Sequence, residues 1–232
     1  MNAPTDNDAF WQLDLTGRKI PQYIAVEGPI GVGKTTLTKN LARTFNYETL
    51  LERAEDNPFL NRFYAGEKNS ALPTQLFFLF QRMQQLNELR QHDLFEPVRV
   101  ADFLLEKDQL FAQVTLSPEE LRLYQQVYDH LTLDAPTPDL VVYLQAPVDI
   151  LLDRIHQRGI RAEQTIDTAY LEQLNEAYTR FFHYYEASPL LIVNAAEIDW
   201  VNNPDDYKSL VSYMLDITRG RHYYNPQPTI LR

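Results

Sequence analysis

The chain has 232 residues and a mass of 27.1 kDa, room for one domain or two small ones. Hydrophobic residues make up 44% of it, enough for a sizeable core, which excludes disorder over most of the length. Lys and Arg number 21 against 32 Asp and Glu; the net charge of −11 disfavours sequence-independent nucleic-acid binding, and no apolar run approaches the ~20 residues of a membrane span. Cysteine is absent, so there is no disulfide framework and no thiolate nucleophile or metal site, which is compatible with the cytosol. Residues 1–20 read as a polar leader that Phe10 and Trp11 could pin to the surface, and they resemble neither a secretory signal nor an Arg-rich transit peptide.

In chain order, Tyr23 to Glu27 reads as a buried strand, followed at once by a glycine cluster and then by helical spacing from Thr35 to Phe45. Leu50 and Leu51 suggest a second strand ending at Glu52, and Asn57-Pro58 marks a loop. A long amphipathic helix is expected after Pro73, with Leu76, Leu79, Phe80, Met83 and Leu86 on its stripe. Val98 to Ala101 predicts a strand ending at Asp102. Ser117-Pro118-Glu119-Glu120 predicts a capped helix start, with Leu121 to Leu131 following. Leu140 to Leu144 is an unbroken apolar run, the mark of a strand covered on both faces. Helices are predicted from Pro147 to Gln157, closed by Gly159, and from Ala169 to Tyr185; then a strand from Leu190 to Val193 and a helix from Asp205 to Thr218. The order implies a single α/β domain over 21–218 with a parallel sheet of about five strands, and a tail over 219–232 that is loose or laid along the surface.

Gly28-Pro29-Ile30-Gly31-Val32-Gly33-Lys34-Thr35 has the spacing of a phosphate loop between strand and helix. Glycines let backbone N–H groups turn toward phosphate oxygens, and the following helix N-terminus adds partial positive charge. Gly28, Gly31, Val32, Gly33, Lys34, Thr35 and Thr36 are therefore expected to hold a nucleoside triphosphate such as ATP, with Lys34 on the β- and γ-phosphates and the Thr35 hydroxyl on Mg²⁺.

The acceptor side is less constrained. Glu52 follows a strand and would stand on the same rim as the loop, where it is either a general base or a solvated acid. Gln75 and Arg82, two helical turns apart with Phe78 between, could grip a flat polar ring or form the wet edge of the helix. Arg154, Arg158 and Arg161 near Gly159 are either a lid over phosphates or cations at a helix C-terminus. Asp102 at a strand end could serve Mg²⁺, and the GTPase motif Asn-Lys-x-Asp is absent.

From about Tyr23 to Trp200 these segments, in order and spacing, resemble the deoxyribonucleoside kinases, the group of deoxycytidine, deoxyguanosine and bacterial deoxyadenosine kinases. The resemblance implies a P-loop kinase fold with an Arg-bearing lid, and ATP- and Mg²⁺-dependent phosphorylation of a deoxyribonucleoside at its 5′-hydroxyl. It implies Glu52 as the general base, Tyr64 and Glu163 at the sugar 3′-hydroxyl, and Gln75 and Arg82 at the base edge. It pairs Asp108 with Arg82, stacks Phe111 on the nucleobase, places Asp102 near Mg²⁺, and sets Arg154 and Arg158 on the lid to stabilise phosphate charge. In the family the Arg82–Asp108 pair goes with deoxyadenosine, deoxyguanosine or deoxycytidine rather than thymidine, and the resemblance to bacterial members favours deoxyadenosine or deoxyguanosine. A homodimer is expected, with no nucleic-acid or membrane partner.

Two positions depart from the family pattern. Arg53 replaces a Pro after the base Glu, and Phe103 replaces the Arg of the family's Asp/Glu-Arg-Ser segment. Arg53 or Arg161 is expected to supply the missing cation, with Arg99 also within reach. Phe103 keeps open the alternative of a non-catalytic nucleotide-binding regulator; a second alternative is a kinase of another small hydroxyl compound or of a nucleoside monophosphate.

Overall fold

A computed structural model describes residues 13–92, 99–132 and 135–226. The strands are β1 (Tyr23–Glu27), β2 (Glu48–Leu50), β3 (Arg99–Ala101), β4 (Leu140–Gln145), β5 (Leu190–Asn194) and β6 (Arg221–Tyr224). They form one six-stranded sheet in the order β2-β3-β1-β4-β5-β6, with every pairing parallel. Parallel neighbours require crossovers, and helices supply them. These are α1 (Lys34–Phe45), α2 (Leu60–Tyr64), α3 (Ala71–His92), α4 (Lys107–Thr115), α5 (Pro118–Leu131), α6 (Val148–Arg158), α7 (Thr168–Tyr184) and α8 (Pro204–Leu215). This is the expected P-loop kinase architecture.

Strand alternation assigns the two faces. Ile24, Val26, Val142 and Leu144 pack with Leu37 and Leu41 of α1, Leu151 of α6 and Leu210 of α8. Ala25, Val141 and Tyr143 point the other way, onto Leu174, Tyr178 and Phe182 of α7, where the Tyr143 and Phe182 rings stack with centroids 4.0 Å apart. Below β2 and β3, Leu50, Ala101 and Phe103 meet Leu79 and Met83 of α3 and Tyr124 of α5. The sheet's C-terminal rim is thus walled by α3, α4 and α7 on one side and by α1 on the other.

Helix ends follow their local chemistry. Ser117 and Glu120 cap each other's backbone at the start of α5, and Gly159 ends α6 at φ 67°. α3 starts at Ala71, before Pro73, because the first-turn amides of a helix need no acceptor and Pro lacks only an amide. Two helices were not legible. α2 has five residues, too short for a period, and α4 turns polar Lys107 and Asp108 inward, against the amphipathic rule.

The sheet has one strand more than the five or so expected. Of the two readings of the tail, Arg221–Tyr224 takes the second: it lies along the sheet's edge as the sixth strand, beside β5. Arg221 donates to the carbonyls of His183 (2.7 Å) and Tyr185 (3.2 Å), and Tyr224 packs on the core. Arg-His-Tyr-Tyr has no aliphatic run to announce it, because an edge strand need not be buried on both faces. In the leader, Leu13, Leu15 and Ile20 pack against the core; Phe10 and Trp11 lie outside the described residues.

Candidate active site

The loop between β1 and α1 is built for an anion. The N-cap Gly33 has φ 104° and no capping side chain, so the first amides of α1 are left for a ligand. A Cβ at Gly31 (φ 84°) would stand 2.8 Å from the Leu151 carbonyl oxygen, so only glycine lets the loop pass α6. Lys34 Nζ donates to the Gly28 (2.7 Å) and Pro29 (3.1 Å) carbonyls, curled over the loop. Burial, then the Lys107 ammonium, pulls its pKa down, so an arriving phosphate would relieve a strained charge.

Beside the loop lies a cavity of about 660 Å³. Its walls include Gly31, Lys34 and Thr35 from the loop and α1, Glu52 after β2, and Tyr64 from α2. Gln75, Phe78 and Arg82 come from α3, Asp102 from the end of β3, Lys107 and Phe111 from α4, and Arg158 and Glu163 from the lid. Glu52 therefore faces Lys34 across a space large enough for a nucleoside.

The strand ends aim Glu52. Its amide donates to Asp102 Oδ1 (2.7 Å), and the Asp102 amide donates to the Leu50 carbonyl (3.0 Å). From α3, Gln85 donates to the Leu51 carbonyl (2.9 Å) and Gln81 to that of Arg53 (3.2 Å), so the segment is fastened on both sides. The Glu52 carboxylate takes one arm of the Arg82 guanidinium and lies 3.3 Å from Lys107 Nζ. Burial pushes its pKa up, but Arg82, Lys107 and Lys34 outweigh that and hold it at about 2. Glu52 is ionised at neutral pH.

Arg82 bridges Glu52 to Asp108 and lies over the Phe78 ring, 5.0 Å from its centroid. Asp108 Oδ2 and Arg82 Nε are buried and have no partner among the described residues, leaving an acceptor and a donor unused. Buried orphans of this kind cost about 1–3 kcal/mol each unless a ligand satisfies them. Gln75 lines the cavity, with no side-chain hydrogen bond among the described residues. Phe111 lies 5.8 Å below Lys107 Nζ and makes an edge contact with Tyr178.

On the lid, Arg158 pairs with Glu163. Tyr64 lies beside them: burial, then Tyr170, Glu163 and Glu52, push its hydroxyl well above the usual range, and Arg158 opposes them. Thr35 Oγ1 donates to Asp102 Oδ2 (2.6 Å), a hydroxyl and a carboxylate side by side at the loop's edge. Arg154 is placed differently from Arg158. It donates to the carbonyls of Val32 (3.2 Å) and Ala195 (2.8 Å) and lines a second cavity of about 630 Å³ with Gly33, Thr36, Asp199 and Trp200.

The phosphate loop, a placed carboxylate and a cavity with unspent hydrogen-bonding groups together describe a phosphotransferase, and the comparisons name its kind. The family model described as deoxynucleoside kinase matches residues 24–218. The chain belongs to the deoxynucleoside kinase family. A deoxyguanosine kinase of Bacillus subtilis (strain 168) is 38% identical over 84% of this chain and 97% of its own length. A deoxyadenosine/deoxycytidine kinase of the same strain is 28% identical over 84% of this chain and 92% of its own. Among solved structures, a deoxyadenosine kinase from M. mycoides with bound dATP superposes with a TM-score of 0.72 at 25% identity, covering 84% of this chain and 99% of that one.

This kinase holds residues that sequence reasoning passed over. Glu27, Lys107, Gln81 and Gln85 shape the site, and Trp200 and Asp199 line the second cavity. Glu27 was read only as the end of a strand; a glutamate completing an apolar run just before a phosphate loop was the available signal. Of the expected substitutes for the missing Arg, Arg53 alone lines the cavity. Arg99 begins β3, at the end of the strand away from the loop, and faces Glu48 at 3.7 Å. Arg161 is exposed and does not line the cavity; Arg53 lines it but is exposed on the rim. No helix among the described residues is long and apolar enough to cross a membrane.

Proposed function

We propose that this deoxynucleoside kinase transfers the γ-phosphoryl group of ATP, with Mg²⁺, to the 5′-hydroxyl of a purine deoxyribonucleoside in the cytoplasm, deoxyguanosine first, then deoxyadenosine and deoxycytidine. The observation that carries the reading is Glu52, ionised and facing Lys34 across one cavity that Arg82 also lines, with buried Asp108 paired to Arg82. The 38% identity to a deoxyguanosine kinase supports the order of bases.

In this reading Phe111 and Phe78 sandwich the base. Gln75, Arg82 and Asp108 pair with its edge, and Tyr64 and Glu163 take the 3′-hydroxyl. Turning Arg82 toward the base loosens its hold on Glu52, so substrate binding makes the carboxylate a better proton acceptor as the 5′-oxygen attacks. The loop amides and Lys34 hold the β- and γ-phosphates. The hard-oxygen pair of Thr35 and Asp102 fits Mg²⁺, which when bound draws charge off those phosphates. Arg158 stabilises charge from the lid, while Arg154 and Trp200 border the cavity on the loop's other side, in reach of the donor's nucleoside.

ADP release measured with each of the four common deoxyribonucleosides is expected to give the highest kcat/KM with deoxyguanosine. Exclusive use of thymidine would refute the assignment of Arg82 and Asp108. Pairing of two subunits goes with the reading: Phe80 on α3 and Leu123 on α5 are half exposed. Sedimentation is expected to give about twice the chain mass of 27.1 kDa, and a monomer at assay concentration would overturn that part.

A further inference from the structure

Resting on the kinase reading above, we propose that Lys107 is the cation that neutralises the transferring phosphoryl group in this chain, held to that task by the buried carboxylate of Glu27. The need for such a cation is plain. Three phosphoryl oxygens carry the charge of a loose transition state, and fixed positive groups are the protein's main means of stabilising it. Position 103 cannot provide one. Phe103 is fully buried in the core, behind Arg82, and does not line the cavity.

Lys107 is placed where the work is done. Its side chain is 3% exposed, it lines the cavity, and its Nζ lies 3.3 Å from Glu52 Oε2 and 3.7 Å from Glu27 Oε2. An ammonium has three donors. One donates to Glu52, while Glu27 at 3.7 Å holds the ammonium as an ion pair, which leaves donors free for an oxygen of the phosphoryl group. Lys107 and Lys34 crowd one cavity as like charges, an arrangement that favours an anion between them.

Glu27 is fixed more tightly than any other carboxylate of the site. Its Oε1 accepts from the Gly28 amide (2.8 Å) and the Tyr178 hydroxyl (2.9 Å), and its Oε2 accepts from the Leu104 amide (2.7 Å). One fully buried side chain thereby ties the first residue of the phosphate loop, the segment leading into α4, and Lys107 into a single frame. Glu27 touches no reacting atom; it is a positioning residue. In the transfer, the 5′-oxygen forms a bond to the γ-phosphorus as the bond to the β–γ bridging oxygen breaks. The bonding pair leaves on the nucleoside diphosphate and the 5′ proton passes to Glu52. Lys107 stands between the carboxylate that gains the proton and the phosphoryl oxygens.

The test compares wild type, Lys107→Met, Lys107→Arg and Glu27→Gln in the full chain, with ATP and deoxyguanosine. Lys107→Met is expected to lower kcat by about 10²–10³-fold, the effect of losing one preorganised donor, with both KM values within threefold. Lys107→Arg is expected to regain at least a tenth of wild-type kcat, and Glu27→Gln to lose about tenfold in kcat, roughly the single-donor scale reduced for an indirect role. An ATP-induced rise in melting temperature verifies folding; if Lys107→Met lacks it, Lys107→Gln is judged by the same criteria. Lys107→Met, Lys107→Gln or Glu27→Gln keeping more than a third of wild-type kcat, or losing KM instead, overturns the proposal, as does an Arg variant no better than Met. A wild type inactive on all deoxynucleosides would instead sink the kinase reading itself.

Discussion

Glu52→Gln is expected to lower kcat by about 10³-fold, inside the 10²–10⁴ range of a positioned general base, while the KM for deoxynucleoside changes little. The amide keeps the shape and one acceptor but cannot take the 5′ proton. The fold should survive, because each cation that Glu52 contacts has a second carboxylate: Arg82 keeps Asp108 and Lys107 keeps Glu27. Single-turnover phosphorylation, with binding followed by the melting shift on adding deoxyguanosine, separates chemistry from affinity. A variant that keeps a tenth of wild-type turnover would remove Glu52 from the mechanism and leave positioning alone to explain catalysis.

Asp108→Asn addresses selectivity. The buried Arg82–Asp108 pair offers an acceptor at Asp108 Oδ2 and a donor at Arg82 Nε, both now without partners. Sites that hydrogen-bond a substrate group reject an analogue lacking it far more strongly than apolar pockets do, because their own polar atoms are then left unpaired. The substitution turns one acceptor into a donor and removes the charge that fixes Arg82. The expected result is a fall of 10²-fold or more in kcat/KM for purine deoxynucleosides, about the 3–5 kcal/mol of breaking a buried pair reduced by the hydrogen bond Asn retains. The KM for ATP should stay within twofold, since Asp108 does not line the second cavity. A parallel rise in the KM for ATP would show that the pair supports the whole site rather than the base.

Both effects depend on a rim assembled from distant segments. Glu52 comes from one crossover and Asp102 and Lys107 from the next, and hydrogen bonds between β2, β3 and α3 lock them together. The rim's charges are nearly matched, which keeps each ion stable when buried and leaves the entering triphosphate as the charge still to be accommodated.

The amino-acid order alone determined what is local. The phosphate loop is contiguous, so its glycines, Lys34 and Thr35 declare themselves by spacing, and so does the strand–loop–helix unit around them. The apolar run Leu140–Leu144 and the Ser117 cap likewise express periodicity and neighbouring side chains, as does the shared face of Gln75 and Arg82 on α3. Tertiary structure decided what depends on residues far apart in the chain. The sheet order and the pairing of β6 with β5 have no local signature, because each is set by which surface covers the segment. The cation beside Glu52 is the sharpest case. Arg53 and Arg161 were the cations expected from the sequence; the short helix α4 brings Lys107 to 3.3 Å from Glu52. Which charge reaches a buried carboxylate depends on how helices cross, and no spacing rule encodes that.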